Sequence, residues 1–474
     1  MLERLLKNTA ARSLAEVINR LGGALFWLLV ARVLGASALG VLAFSLSLFS
    51  FFMTLSTLGL GSVLIRDIAR HPERTAVYFS HALIIGSVTF LIVAPLMFGL
   101  ALSLNIMGIT LYATGVMALA VLPGCVFYWC KSILTAHEKM KGIAWARTAE
   151  NAVRLGIGAW LLFTGGTLIH IIWVIFASKV VLAGVGMLLT LRYAIAPRFQ
   201  WDGALFRYFG SMIPAFSMIT LFNSLFWAAS VVLLTHFSGE TQAGWFGAAF
   251  KLVDMIIALS LAYGQAIFPI ASRSLQNKSG YRRVFHRSLK YISLLTLAIA
   301  AGTTLLAGPL VQFLYGSQMN AAAPVLRILI WCVVPFSLVP VFSSSLVSYH
   351  QQNWDLAANA AAALSVIALN LLLQPGTGAV GAAAVLLSAC VIFLLVEAAG
   401  VQQCMFRLYV PMQLIYALPG VLLMWGVITL TRNTHVLISV VAAAVIYFGF
   451  LYFSGALDRT DFKRLLRRKR EAGL

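Results

Sequence analysis

The sequence predicts an all-α polytopic membrane protein with about 14 transmembrane helices. They are expected as two parallel six-helix lobes, related by a pseudo-two-fold axis along the membrane normal, plus two extra C-terminal helices. Three observations lead there. The chain of 474 residues is 61% hydrophobic and only 10% charged, with mean hydropathy +0.93. Its Lys and Arg residues alternate between polar gaps. A set of residues also recurs at constant spacing.

Taken in order, apolar runs long enough to cross the hydrocarbon core fall roughly at 14–34, 38–61, 78–101, 109–130, 145–164, 169–191 and 209–235. They continue at 244–270, 291–314, 324–348, 356–374, 379–401, 414–431 and 436–454. The odd-numbered gaps, such as Gly35–Ala38, Ser103–Gly108, Thr164–Thr167 and Pro375–Gly378, are nearly free of cations. The even-numbered gaps and both termini hold 27 of the 34 Lys and Arg residues. Basic residues beside span ends mark the cytoplasmic side, so both termini are expected there, and the net charge of +20 is topological and not a nucleic-acid signal. The first apolar stretch has no A-x-A site behind it and is expected to be retained. Five cysteines (Cys125, Cys130, Cys332, Cys390, Cys404) lie in spans or at their ends without disulfide or metal spacing. The basic tail from Asp458 is expected to touch anionic membrane lipids.

The repeat sets the expected domains. Asn19, Gly35 and Gly40 recur as Asn223, Gly239 and Gly244, each pair 204 residues apart. Ser132, Leu134 and His137 recur as Ser345, Val347 and His350 at 213. The second copy begins six spans later, and an even number of crossings preserves orientation, giving a parallel repeat as in rocking-lobe transporters. The expected boundaries are an N-lobe at 1–207, a C-lobe at 208–404, an added helix pair at 405–457 and the tail at 458–474. Pro123, Pro335 and Pro340 invite kinks.

Ionisable groups within spans are costly and mark function or pairing. Glu16 with Arg20, Glu150 with Arg154, and Lys251 with Asp254 are spaced to share a helix face. Lys179 has no acid within a turn or two of its own helix and is expected to face a wet cavity. Arg32 and Arg327 stand near the cation-poor side, and Glu397 stands alone in its helix. The candidate substrate-binding residues are therefore Arg20, Arg154, Lys179, Lys251, Asn19, Asn223 and Arg327. The candidate ion-coupling residues are Asp254, Glu397 and Glu150. No resident cofactor is expected. Unpaired buried cations favour an anionic cargo, and Arg grips phosphate in a fork.

The stretch ARVLGASALGVLAFSLSLFSFFMTLSTLGLGSVLIRDIAR, Ala31 to Arg70, resembles the opening helices of bacterial polysaccharide flippases. These form part of the multidrug/oligosaccharidyl-lipid/polysaccharide exporter superfamily. Ala31, Arg32, Leu34, Gly35 and Gly40 fit the turn after helix 1. Gly59, Leu60, Arg66, Asp67, Ile68 and Ala69 fit the end of helix 2. Ala36 replaces the usual Pro and Leu39 the usual aromatic residue. The resemblance implies two six-helix lobes in a V, a cationic cavity and alternating access. The implied cargo is an oligosaccharide unit on a polyprenyl diphosphate, flipped across the bacterial inner membrane for surface polysaccharides such as O-antigen. Coupling to H+ or Na+ antiport, and contact with other polysaccharide assembly proteins, are implied too. A lipid II flippase and a multidrug or metabolite exporter are the alternatives within the superfamily. A polysaccharide polymerase or ligase would need catalytic residues in an extracytoplasmic loop, where this chain offers only scattered His236, His435, Glu240 and Arg432.

Overall fold

Apolar composition and the backbone's need to satisfy its own hydrogen bonds in lipid leave helices as the economical solution, and the computed structural model is built from them. It describes residues 2–193, 202–273, 278–409, 417–431 and 435–456, with side chains except at 2–18, 20–21, 212–217, 259, 261–262, 264–273, 278–279 and 375. The side chains of Glu16 and Arg20, together with Arg432 and the basic tail, lie outside the described residues.

The helices are α1 (Leu2–Thr57), α2 (Gly61–Arg70), α3 (Thr75–Ser103), α4 (Gly108–Leu119), α5 (Val121–Ala136), α6 (Met140–Phe163) and α7 (Leu168–Arg192). They continue as α8 (Gly203–Arg273), α9 (Lys278–Tyr315), α10 (Ala322–Leu329), α11 (Val333–Ser348), α12 (Gln352–Cys404), α13 (Ala417–Leu430) and α14 (Val436–Phe453). Each of the apolar runs read from the sequence is helical over most of its described residues. Among the described residues ten stretches are long and apolar enough to cross a membrane, and Gly22–Thr57 and Met218–Ala258 each hold two of the expected spans. The run expected at 145–164 falls in α6, which carries Arg147, Glu150 and Arg154. The run expected at 414–431 falls in α13, which is 14 residues long.

The repeat is visible in backbone geometry. α1 breaks at Gly35 (φ 81°, ψ −171°) and α8 at Gly239 (φ 82°, ψ 174°), a region open essentially to glycine alone. The 204-residue offset seen in the sequence thus joins two copies of one turn. The second match needs a correction of one residue. His137 and Tyr349 cap α5 and α11 with nearly equal dihedrals, and Glu138 and His350 follow with φ 57° and 58°. The hydrogen bonds Lys139 N to Leu134 O and Gln351 N to Leu346 O then coincide. The structural offset there is 212 residues, so His137 corresponds to Tyr349 and not to His350.

The helices cluster into two units, Met1–Ala248 with Ala363–Val385, and Ala249–Ala362 with Leu386–Leu474. In the first, α5, α6 and α7 meet around Phe127, Ala146, Leu182 and Ala183. The Arg66–Asp67 pair in the motif that ends helix 2 has a structural task there. Arg66 Nε donates to Asp67 Oδ1 at 2.8 Å, and its Nη2 reaches the Tyr208 hydroxyl at 2.6 Å. Arg74 pairs with Asp202 at 2.8 Å, and the Asp202 amide donates to His81 Nε2 at 3.1 Å. Asp202 also accepts the Ala204 and Leu205 amides that open α8, so one carboxylate caps a helix and ties it to the α2–α3 corner. In the second unit α13 and α14 dock on α9 through Met424, Tyr447 and Leu294, with the Tyr447 hydroxyl donating to the Leu294 carbonyl at 2.9 Å.

Candidate functional site

Two features of the first unit bear on function. The first is a charged cluster where α1, α6 and α7 meet. Glu150 is buried, and Lys179 Nζ donates to its Oε1 at 2.7 Å. This corrects two sequence expectations together. Lys179 does have an acid, supplied by the neighbouring helix, and Glu150 spends its carboxylate on Lys179, not on Arg154 one turn away. One-helix spacing rules count only neighbours along the chain, whereas antiparallel packing of α6 on α7 sets this pair 29 residues apart in sequence.

Arg154 is held differently. Its Nη2 donates to the Asn151 side-chain oxygen, while Asn151 Nδ2 donates to the Asn19 side-chain oxygen at 2.9 Å and to the Asn19 carbonyl at 3.2 Å. The guanidinium lies 5.6 Å from the Phe26 ring centre, and the Lys179 amine 5.7 Å from that of Phe49. Arg154 Nε is buried without a partner. Asn19 and Arg154, both among the candidates, are linked through Asn151, which sequence reasoning missed. The signal was available: Asn151 sits three residues before Arg154 on the same helix face. The cluster holds two cations against one carboxylate, with hydrogen-bond donors to spare.

The remaining candidates lie apart from this cluster. Lys251 and Asp254 form the expected i,i+3 pair at 3.6 Å, both part-exposed. Asn223 is half-buried, Arg327 is exposed, and Glu397 is fully buried near the end of α12.

The second feature is a seam beside the internal breaks of α1 and α8, in the gaps poor in cations. A Cβ built on Gly40 would run into the carbonyl oxygen of Glu240, and one built on Gly244 into the carbonyl oxygen of Ala36. Adding 204 carries Ala36 to Glu240 and Gly40 to Gly244. The contact is thus reciprocal between the two copies, as a two-fold relation requires. The Glu240 carboxylate breaks the symmetry: it accepts from Ser37 Oγ at 3.1 Å and from the Thr110 hydroxyl on α4. Gln242 Oε1 accepts the Ala379 amide at 3.0 Å, adding the turn of α12 to the seam. A pocket of about 390 Å³ lies beside it, lined by residues that include Met107, His236 and Glu240. The sequence reading treated His236 and Glu240 as scattered polar residues, since nothing in their spacing reveals that two glycine turns meet there.

The polysaccharide biosynthesis protein family matches residues 5–275, and MatE matches residues 214–372. Among solved structures, the lipid II flippase MurJ in an inward closed conformation superimposes with TM-score 0.81 at 16% identity, covering 94% of this chain and 99% of that one. An inward-facing multidrug resistance MATE family transporter of the MOP superfamily gives TM-score 0.68 at 16% identity, covering 81% and 94%. A MOP superfamily transporter from Pyrococcus furiosus, described as having a binding pocket of reverse polarity, gives 0.54 at 14% identity, covering 83% and 92%. No curated protein matches in sequence. With more than half of the chain matched and the fold shared over nearly its whole length, the chain belongs to the polysaccharide biosynthesis protein family, within the multidrug/oligosaccharidyl-lipid/polysaccharide exporter superfamily of membrane transporters.

Proposed function

We propose that the protein flips an oligosaccharide carried on a polyprenyl diphosphate from the cytoplasmic to the periplasmic leaflet of a bacterial inner membrane, for surface polysaccharide assembly. Both termini are then cytoplasmic, in keeping with the cation distribution. The observation that carries this reading is the α1–α6–α7 cluster, where two cations stand against one carboxylate: Lys179 pairs with Glu150, while Arg154 is held by Asn151 and keeps its Nε without a partner. A diphosphate supplies acceptors and negative charge to such a cluster, and the polyprenyl chain can remain in lipid. Organic cations would meet the wrong sign.

Alternating access follows from the repeat. The Gly40/Gly244 seam closes the cation-poor face when the cargo enters from the other side, and it parts to let the headgroup leave. A cargo shifts that equilibrium only by its differential affinity for the two states. Flipping is driven by antiport of H+ or Na+. A lipid II flippase is the second reading, favoured by the superposition on MurJ over 94% of the chain; the two cargoes share the polyprenyl diphosphate and differ in the sugar.

Liposomes containing the full-length protein, supplied in turn with a fluorescent polyprenyl-diphosphate oligosaccharide, lipid II and a cationic dye, test this. The oligosaccharide lipid is expected to flip, and Arg154→Ala is expected to slow it about tenfold or more, the loss of one charge-assisted contact. Flipping of the dye alone, or unchanged flipping in Arg154→Ala at equal incorporation, refutes the reading.

A further inference from the structure

Gly376 and Gly378, with φ of 122° and 57°, interrupt α12 and divide it into two apolar arms, Gln352–Gln374 and Gly376–Cys404. Asp355 lies 21 residues before Gly376 and Glu397 lies 21 after it, so arms that fold back on each other bring the two acids to one level. The structure bears this out: the Trp354 ring, next to Asp355, packs on Gly400, one turn beyond Glu397, and the two carboxyls interact. The arms approach closely there because Gly400 leaves room for the Trp354 ring, on which any Cβ would press.

The environment is unusual for two acids. Glu397 has no exposed surface, and neither of its carboxyl oxygens meets a donor. Asp355 is 7% exposed, and its Oδ1 accepts from Asn359 Nδ2 at 3.4 Å. An ionised carboxylate offers only acceptors, so two ionised groups cannot bond to each other, and a bare one in an apolar interior is heavily penalised. A single proton between them satisfies both. Among the described residues neither acid has an ion-pair partner. The hydroxyls of Tyr281 on α9 and Ser345 on α11 hydrogen-bond to each other, Tyr349 follows α11, and the His286 ring lies against Phe406 and Tyr409.

We infer that Asp355 and Glu397 form a proton-binding site, with the proton on Glu397 and Asp355 as its acceptor. Asp355 takes the acceptor role because it has the Asn359 donor and sits in the first turn of α12, where the helix dipole favours negative charge. When the proton leaves to water, two facing carboxylates repel, and the ends of the α12 arms must separate or admit water. That couples protonation to the geometry of the helix pair. The role of this proton as the driving ion rests on the flippase reading above; its binding does not.

The test uses the full-length protein in lipid nanodiscs and infrared spectroscopy of the carboxyl C=O stretch. At neutral pH the wild type is expected to show a protonated-carboxyl band that moves in D2O, persists when Na+ replaces K+, vanishes in Glu397→Gln and shifts in Asp355→Asn, where its acceptor changes. If either variant fails to fold, wild type with 13C-labelled Glu carboxyls gives the same answer by its band shift. Absence of the band in wild type, or its loss on adding Na+ at constant pH, overturns the proposal. In liposomes, a proton gradient is expected to raise wild-type flipping about tenfold and to leave Glu397→Gln unaffected. Gradient-independent flipping by wild type overturns the coupling role. Absence of any flipping by wild type counts against the proposed function, while the band still decides the site.

Discussion

The reciprocal seam makes a quantitative prediction about gating. In Gly40→Ala and Gly244→Ala the new methyl group meets a backbone carbonyl, of Glu240 and Ala36 respectively, so the clash is relieved only by moving main chain. Overpacking of this kind costs about 1–3 kcal/mol. The penalty is confined to the closed seam, so it shifts the closed–open equilibrium by roughly 5- to 150-fold towards open. Ala38, buried beside the seam, reports on it. With Cys404, the exposed native cysteine, replaced, Ala38→Cys is labelled by a membrane-impermeant maleimide only when the seam parts. Labelling is expected to accelerate by that factor in either alanine variant, with similar size in both because the contacts are symmetry-related. The double variant should fall short of the product of the two, since a contact already lost cannot be lost again. Gly184→Ala is the control. No atom lies within 4 Å of its Cβ position, so it should leave labelling unchanged and stabilise α7 by about 0.5–1 kcal/mol. Unchanged labelling in both seam variants of a folded protein would refute the idea that this contact closes the face.

Two further outcomes are expected. Lys179→Met leaves Glu150 buried and unpaired and should destabilise by roughly 3–5 kcal/mol, as for other broken buried pairs, whereas Glu150→Gln with Lys179→Met should recover most of the loss in a thermal melt without recovering flipping. Outside the spans, burial first and then Lys139 hold the His137 imidazole below its ordinary range. Protons therefore bind the unfolded state more readily, and stability falls as pH drops below about 6.5 and on through the folded value. Melting temperature against pH should show that acid slope in wild type and lose it in His137→Gln, which can still reach the Thr75 hydroxyl.

Much of this molecule is legible in its amino-acid order, because lipid leaves so few options. Where hydrocarbon forbids unsatisfied backbone, about 20 apolar residues declare a helix. Glycine at Gly35 and Gly239 declared a repeated turn, since only that residue tolerates the required dihedrals without strain. The family was readable from Ala31 to Arg70 for related reasons: Arg66 and Asp67 form a clamp whose geometry restricts the residues that can serve. Lys251 with Asp254 was legible because its two members share a helix. What remained hidden depended on which helix lies beside which. Lys179 found Glu150, Arg154 found Asn19 through Asn151, Glu397 found Asp355, and Gly40 found the carbonyl of Glu240. Each of these pairs joins different helices or the opposing arms of one, at separations that periodicity does not encode. Hydropathy reports a residue's relation to solvent and says nothing of its neighbour across a packed interface. Charge compensation and gating are properties of those interfaces, so they were decided only when the helices packed.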